Sequence, residues 1–138
     1  MKKILIFIAV VVVIGVAVAG YFIFNNQKDN TEEMILVTSP VRHAEISSPL
    51  SIVGRARGVW FFEASFPIVL TDSYGNVLAE THASAQGEWM TENFVPFLAT
   101  LQFNNYIKGS KGVLILKKDN PSGLSENDDS IEIPIVFK

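Results

Sequence analysis

Two histidines, His43 and His82, are the obvious candidates for proton chemistry in this chain of 138 residues. Catalysis by a nucleophile and base would need one of them within hydrogen-bond reach of a serine or an acid. Neither lies in a G-x-S-x-G or H-E-x-x-H arrangement. They stand 39 positions apart in a chain without cysteine, which makes a poor zinc site. No catalytic residue is therefore assigned, and the expected role is non-enzymatic. A small hydrolase has the least support of the functional classes.

Hard oxygen ligands are better represented. The segment Lys117 to Asp129 holds Asp119, Glu126, Asp128 and Asp129, together with Asn120 and Asn127. Calcium takes about six to eight such oxygens, so the four acids are calcium candidates. Their spacing is not that of an EF-hand loop. Asp119-Asn120-Pro121-Ser122-Gly123 reads equally well as a rigid turn held by side-chain-to-backbone bonds. No other metal or cofactor is implied.

Aromatic faces offer a third chemistry, because indole and phenyl rings stack on sugars. Trp89 stands in Glu88-Trp89-Met90-Thr91-Glu92, after a glycine and between acids. Phe61 sits beside Phe62 and Glu63. Exposed aromatics among polar residues mark binding patches, so both are binding-surface candidates. The bland alternative has Trp89 plugging one end of the fold. Arg55 and Arg57 point the same way along a strand, where they could pair with Glu63 or hold an anionic partner. Surface ion pairing is the default.

The elements that must position these residues are strands. From Met34 onward the sequence alternates at period two, and no stretch sustains a helical stripe. Expected strands are Ile35–Ser39, Leu50–Ala56, Trp60–Leu70, Val77–Ala85, Phe97–Phe103, Val113–Lys117 and Ile131–Phe137. In the third, Trp60, Phe62, Ala64, Phe66, Ile68 and Leu70 would share the inward face, with Phe61, Glu63, Ser65, Pro67, Val69 and Thr71 outward. Pro67 lacks a backbone donor and argues for an edge or a bulge. Val77, Ala79, Thr81, Ala83 and Ala85 would face in, leaving room for aromatics nearby. About seven short strands with turn residues between them are the signature of an all-β, immunoglobulin-like antiparallel sandwich.

The first 33 residues are of another kind. An unbroken apolar run from Ile4 to Phe24, with only Gly15 and Gly20 inside it, follows Lys2 and Lys3. As a helix it would be about 32 Å long, enough to cross a bilayer core of about 30 Å. Ala17-Val18-Ala19 before Gly20 also resembles a signal-peptide cleavage site. The run continues to Phe24, which favours an uncleaved signal anchor over residues 1–24 as one transmembrane helix. The positive-inside rule then puts the carboxy-terminal domain on the outer side of the cell membrane, as a single-pass protein. Residues 25–33 read as a polar tether and 34–138 as the outer domain. From residue 31 onward, eight Lys/Arg face thirteen Asp/Glu, a formal −5, the wrong sign for nucleic acid.

Several blocks of the outer domain resemble a known family. They are Ile46-Ser47-Ser48-Pro49-Leu50, Gly54 to Pro67, Gly87-Glu88-Trp89-Met90-Thr91, Phe94-Val95-Pro96-Phe97 and Asp119-Asn120-Pro121-Ser122-Gly123. In this order they are similar to the immunoglobulin-like domain of bacterial spore-germination proteins, over roughly residues 35–137. The resemblance implies a β-sandwich on an extracytoplasmic protein and supplies no catalytic residues. The expected function is a non-catalytic binding or assembly module of the cell envelope that engages an envelope protein. The alternative is a cell-wall glycan-binding module using Trp89 or Phe61.

Overall fold

Alternating apolar residues make strands in the order expected, and all but one of the connections are short turns and loops. The structure is a computed structural model that describes residues 34–138. The anchor at 1–24 and the tether at 25–33 lie outside the described residues. Among the described residues, no helix is long and apolar enough to cross a membrane.

The strands are β1 (Ile35–Ser39), β2 (Glu45–Ile46), β3 (Leu50–Arg57), β4 (Ser65–Asp72), β5 (Val77–Ala85), β6 (Phe94–Leu101), β7 (Lys111–Lys117) and β8 (Ser130–Phe137). Short 3-10 turns occupy Gly58–Trp60 and Ser125–Asn127. All eight strands belong to one hydrogen-bonded sheet, in the order β1-β3-β6-β5-β4-β7-β8-β2. The sheet curls so that β1, β3 and β6 face β4, β7 and β8. The junction is narrow: β5 pairs along its length with β4, and with β6 only at Ser84 and Ala85. Pairing of β3 with β6 and of β4 with β7 skips intervening strands, as in the crossed connections of immunoglobulin-like sandwiches.

The extra strand arises because the first one divides. β1 pairs antiparallel with β3, and the chain then crosses over so that β2 runs parallel to β8. Ser39–Pro40 and Ser48–Pro49, on either side of this stretch, are cis peptides. β1 and β2 thus close opposite margins of the sheet.

One core fills the space between the layers. Phe97, Ala99, Leu101 and Phe103 are buried on one face as expected, and so are Ile133, Ile135 and Phe137. Phe66 on β4 meets Phe97 on β6 edge-on, with ring centroids 5.0 Å apart, which joins the two layers. Phe97 also lies over Gly54, its cross-strand neighbour; a Cβ there would fall 2.7 Å from the ring. Aromatic cover of a strand glycine replaces the packing that the missing side chain cannot supply. Without disulfides, core packing of this kind carries the fold.

The stretch expected as one strand, Trp60–Leu70, is instead a 3-10 turn, a tight turn and a strand. Gly58–Trp60 turns the chain, and the Phe61 amide donates to the Gly58 carbonyl at 3.1 Å. Phe62 and Ser65 then bond reciprocally at 3.0 and 3.1 Å around Glu63 and Ala64. Both central residues have positive φ, 48° and 62°, as a two-residue hairpin of the primed kind requires. That conformation costs an L-residue about 1–2 kcal/mol. The turn shifts the phase, so Phe61 is buried at 4% exposure and Phe62 is exposed at 41%, the reverse of the expectation. Trp60, Phe66, Ile68 and Leu70 are buried as expected.

Two further expectations change. β4 is central, lying between β5 and β7, so Val69 and Thr71 are buried rather than outward. Pro67 is nonetheless locally at an edge: it pairs with His82 on β5, while the ladder to β7 starts one residue later, at Ile68; the irregularity against β5 falls elsewhere, between Leu70 and Thr71. On β5 only Ala83 is fully buried; Val77 is exposed.

Candidate binding cleft

Three connections meet at one end of the sandwich, beside Met34, where the described chain begins. They are the β3–β4 segment (58–64), the β5–β6 loop (86–93) and the β7–β8 loop (118–129). Together they line an open cleft of about 490 Å³. Its apolar wall includes Val59, Phe61, Phe62, Trp89 and Met90, and its polar rim includes Thr91, Lys118, Asp119, Asn120 and Ser122.

Each loop is fixed by its own short-range bonds. In the β7–β8 loop, Asn120 Nδ2 donates to the Leu124 carbonyl at 2.8 Å and to Asp128 Oδ1 at 2.7 Å. Ser122 Oγ donates to Asn120 Oδ1 and accepts from the Leu124 amide and from Asn127 Nδ2. The Asp119 amide donates to the Trp60 carbonyl at 3.0 Å, tying this loop to the first. In the β5–β6 loop, the Met90 amide donates to Glu88 Oε1 and the Asn93 amide to Thr91 Oγ1. This loop approaches the first at Gly58, where a Cβ would collide with the carbonyl oxygens of Trp89 and Thr91. Glycine is required there because two backbones touch.

The structure gathers some of the expected site residues and separates others. Trp89 lines the cleft while one side of its ring packs against the core, so it is at once plug and wall. Phe61 reaches the cleft only as part of its floor. Phe62, expected in the core, stands at the surface and lines the wall instead. Glu63 is exposed at the tip of the tight turn and is not part of the lining. Arg55 and Arg57 lie outside the cleft on the outer face of β3, with their guanidinium carbons 5.0 and 3.9 Å from the centroid of the Phe94 ring. Arg57 also donates to the Glu92 carbonyl at 3.4 Å. Cation–π stacking thus takes the place of the ion pair expected with Glu63.

Three of the calcium candidates, Asp119, Asp128 and Asp129, line a second open cleft together with Lys117 and Lys118, whereas Glu126 does not. Among the described residues, no group of three or more acidic or histidine side chains is placed to hold a metal ion. Asp119 lines the cleft, Asp128 accepts from Asn120, and Asp129 accepts from the Ser130 amide. The turn reading fits the β7–β8 loop better: amide and hydroxyl side chains hold it. His43 and His82 are exposed, and neither lines the cleft.

Val59, Phe62 and Met90 carry no sequence signal of a binding role. The positive-φ pair that turns Phe62 outward consists of Glu63 and Ala64, residues that carry no turn signal. Gly58, just after an alternating strand, was the one available hint that the chain breaks there.

A curled all-β sandwich whose β3–β4 and β7–β8 loops meet at one end has the architecture by which immunoglobulin variable domains present their binding loops. A family model for the immunoglobulin-like domain of bacterial spore germination matches residues 34–125, and the chain belongs to that family. The match ends inside the β7–β8 loop, short of the expected boundary near 137, while β8 completes the second layer. No curated protein and no solved structure matches the chain.

Proposed function

We propose that this chain is a membrane-anchored, outward-facing binding or assembly module of the bacterial cell envelope, without catalytic activity, and that the cleft docks a protein partner. The observation that carries this reading is the cleft itself. Two of its three loops bring Val59, Phe62, Trp89 and Met90 to the surface together, with Met90 74% exposed. Exposed apolar groups gathered inside a polar rim are the usual anatomy of a protein-docking surface. The spore-germination description of the family supports a place in the envelope, and the apolar run Ile4–Phe24 supports anchoring there.

Crosslinking on intact cells tests the docking role. One discrete envelope protein should be captured, and capture should survive digestion of the wall glycan. Retention in the membrane pellet after a carbonate wash tests the anchor; a soluble product beginning at Gly20 would refute it. A second reading, glycan binding, draws on the half-exposed Trp89 beside Phe62. It requires soluble wall fragments to quench tryptophan fluorescence, and Trp89→Phe to abolish the effect.

A further inference from the structure

The two ends of the sandwich differ in charge and in shape. Around the cleft, Glu63, Glu88, Glu92, Asp119, Glu126 and Asp128 outnumber the basic residues Arg57, Lys117 and Lys118. The opposite end lies eight strand residues away, about 26 Å at the usual rise. There the β4–β5 turn and the β6–β7 loop project side by side. Tyr74 is 90% exposed at the tip of one and Ile107 78% exposed at the tip of the other. Both border a small pocket that also includes Tyr106 and Phe137. The second tip is basic, with Lys108 next to Ile107 and Lys111 at the base of the loop, both exposed.

Both tips are held in shape. Asp72 Oδ1 accepts from the Tyr74 and Asn76 amides, each at 2.9 Å. The Ser110 hydroxyl and amide both donate to the Ile107 carbonyl, and the Gly109 amide donates to the Phe137 carbonyl at 2.6 Å. A protrusion fixed in this way loses little conformational freedom when it docks.

We infer that the partner of the cleft is a second copy of this chain, whose Tyr74 and Ile107 tips enter between Phe62, Trp89 and Met90 while Lys108 faces the acidic loops around them. The inference rests on the reading of the cleft as a protein-docking site. An apolar hollow whose surrounding loops are acidic and an apolar projection that carries two lysines are complementary in charge, and each chain carries both. Because they lie at opposite ends, the contact is head-to-tail. Such a contact does not close on a dimer but extends into rows.

Placing a photocrosslinker at the cleft tests this. The chain has no native cysteine, so Met90→Cys in the full chain takes one maleimide-benzophenone in membranes of the producing cells. The expected product is a ladder of self-adducts whose crosslinks map by mass spectrometry to residues 73–77 or 106–111 of the neighbouring copy. Lys108→Glu should weaken the ladder about threefold or more at physiological salt, where a surface charge contact is only partly screened. Adducts to another protein alone would overturn self-docking and leave the docking reading standing. Self-adducts mapping only to residues 86–93 would mean like-to-like contact and would also overturn it. If no protein adduct forms, both readings fall.

Discussion

The Arg57 guanidinium lies 3.9 Å from the centroid of the Phe94 ring, directly across the β3–β6 ladder. Arg55, two residues back on the same face, approaches that ring at 5.0 Å. Two cations that would repel each other share one aromatic ring. Phe94→Leu keeps apolar bulk but removes the quadrupole, and should cost about 1 kcal/mol in urea unfolding. A double-mutant cycle with Arg57→Ala should return a coupling of about 0.5–1 kcal/mol; strict additivity would show the stacking to be incidental.

Adjacent phenylalanines should separate stability from binding. Phe61→Ala removes a buried ring whose centroid lies 5.2 Å from that of Phe66, and should cost about 3–5 kcal/mol. Phe62→Ala removes an exposed ring and should cost under about 1 kcal/mol, while sharply reducing crosslinked partner. Equal losses of stability in the two variants would contradict the phase shift at the Phe62–Ser65 turn.

For the β7–β8 loop, braced by Asn120, Asn120→Ala should cost about 1 kcal/mol and speed hydrogen exchange at the Leu124 amide. Calcium at about 1 mM should leave the melting temperature within about 1 °C of its metal-free value. A rise of several degrees would show that the carboxylates converge on an ion after all.

Asp72 should give the unfolding profile an acid limb. The Asn76 side-chain bond, helped by backbone amides of residues 74–76 and opposed by partial desolvation, holds its carboxyl below the ordinary value of 3.8. A depressed folded pKa means the unfolded chain binds the proton more readily, so stability rises with pH across this window. The contribution is complete above the ordinary value and is lost as pH falls through the lowered one. Asp72→Asn should flatten that part of the profile in thermal melts run between about pH 2 and about pH 6.

Strand identities were legible because period-two alternation survives wherever a strand has one buried face, as in Phe97 to Phe103 and Ile131 to Phe137. Alternation failed where two buried aromatics, Trp60 and Phe61, stand side by side before a turn. Glu63 and Ala64 adopt positive φ because the fold imposes it, and no glycine or asparagine marks the place. The same lapse hid Phe62 as part of the cleft wall, whereas Trp89 and the 119–123 turn stood out by composition. The stacking of Arg55 and Arg57 on Phe94 is not legible in the sequence, because Phe94 is distant along the chain and reached only through the β3–β6 register.

The divided first strand gives the domain a mechanical character. Tension arriving at Met34 enters through β1, and a pull along that strand loads its hydrogen bonds to β3 together, because they lie across the direction of force. Should β1 slip, the chain from Glu45 onward stays clamped to β8 on the opposite margin. The Arg57 amide, bonded to the Met34 carbonyl at 2.8 Å, shares that load at the end of the ladder. Next to it lie the segments that wall the cleft, so traction on the amino-terminal side would be felt at that end of the sandwich before it reached the tips of Tyr74 and Ile107.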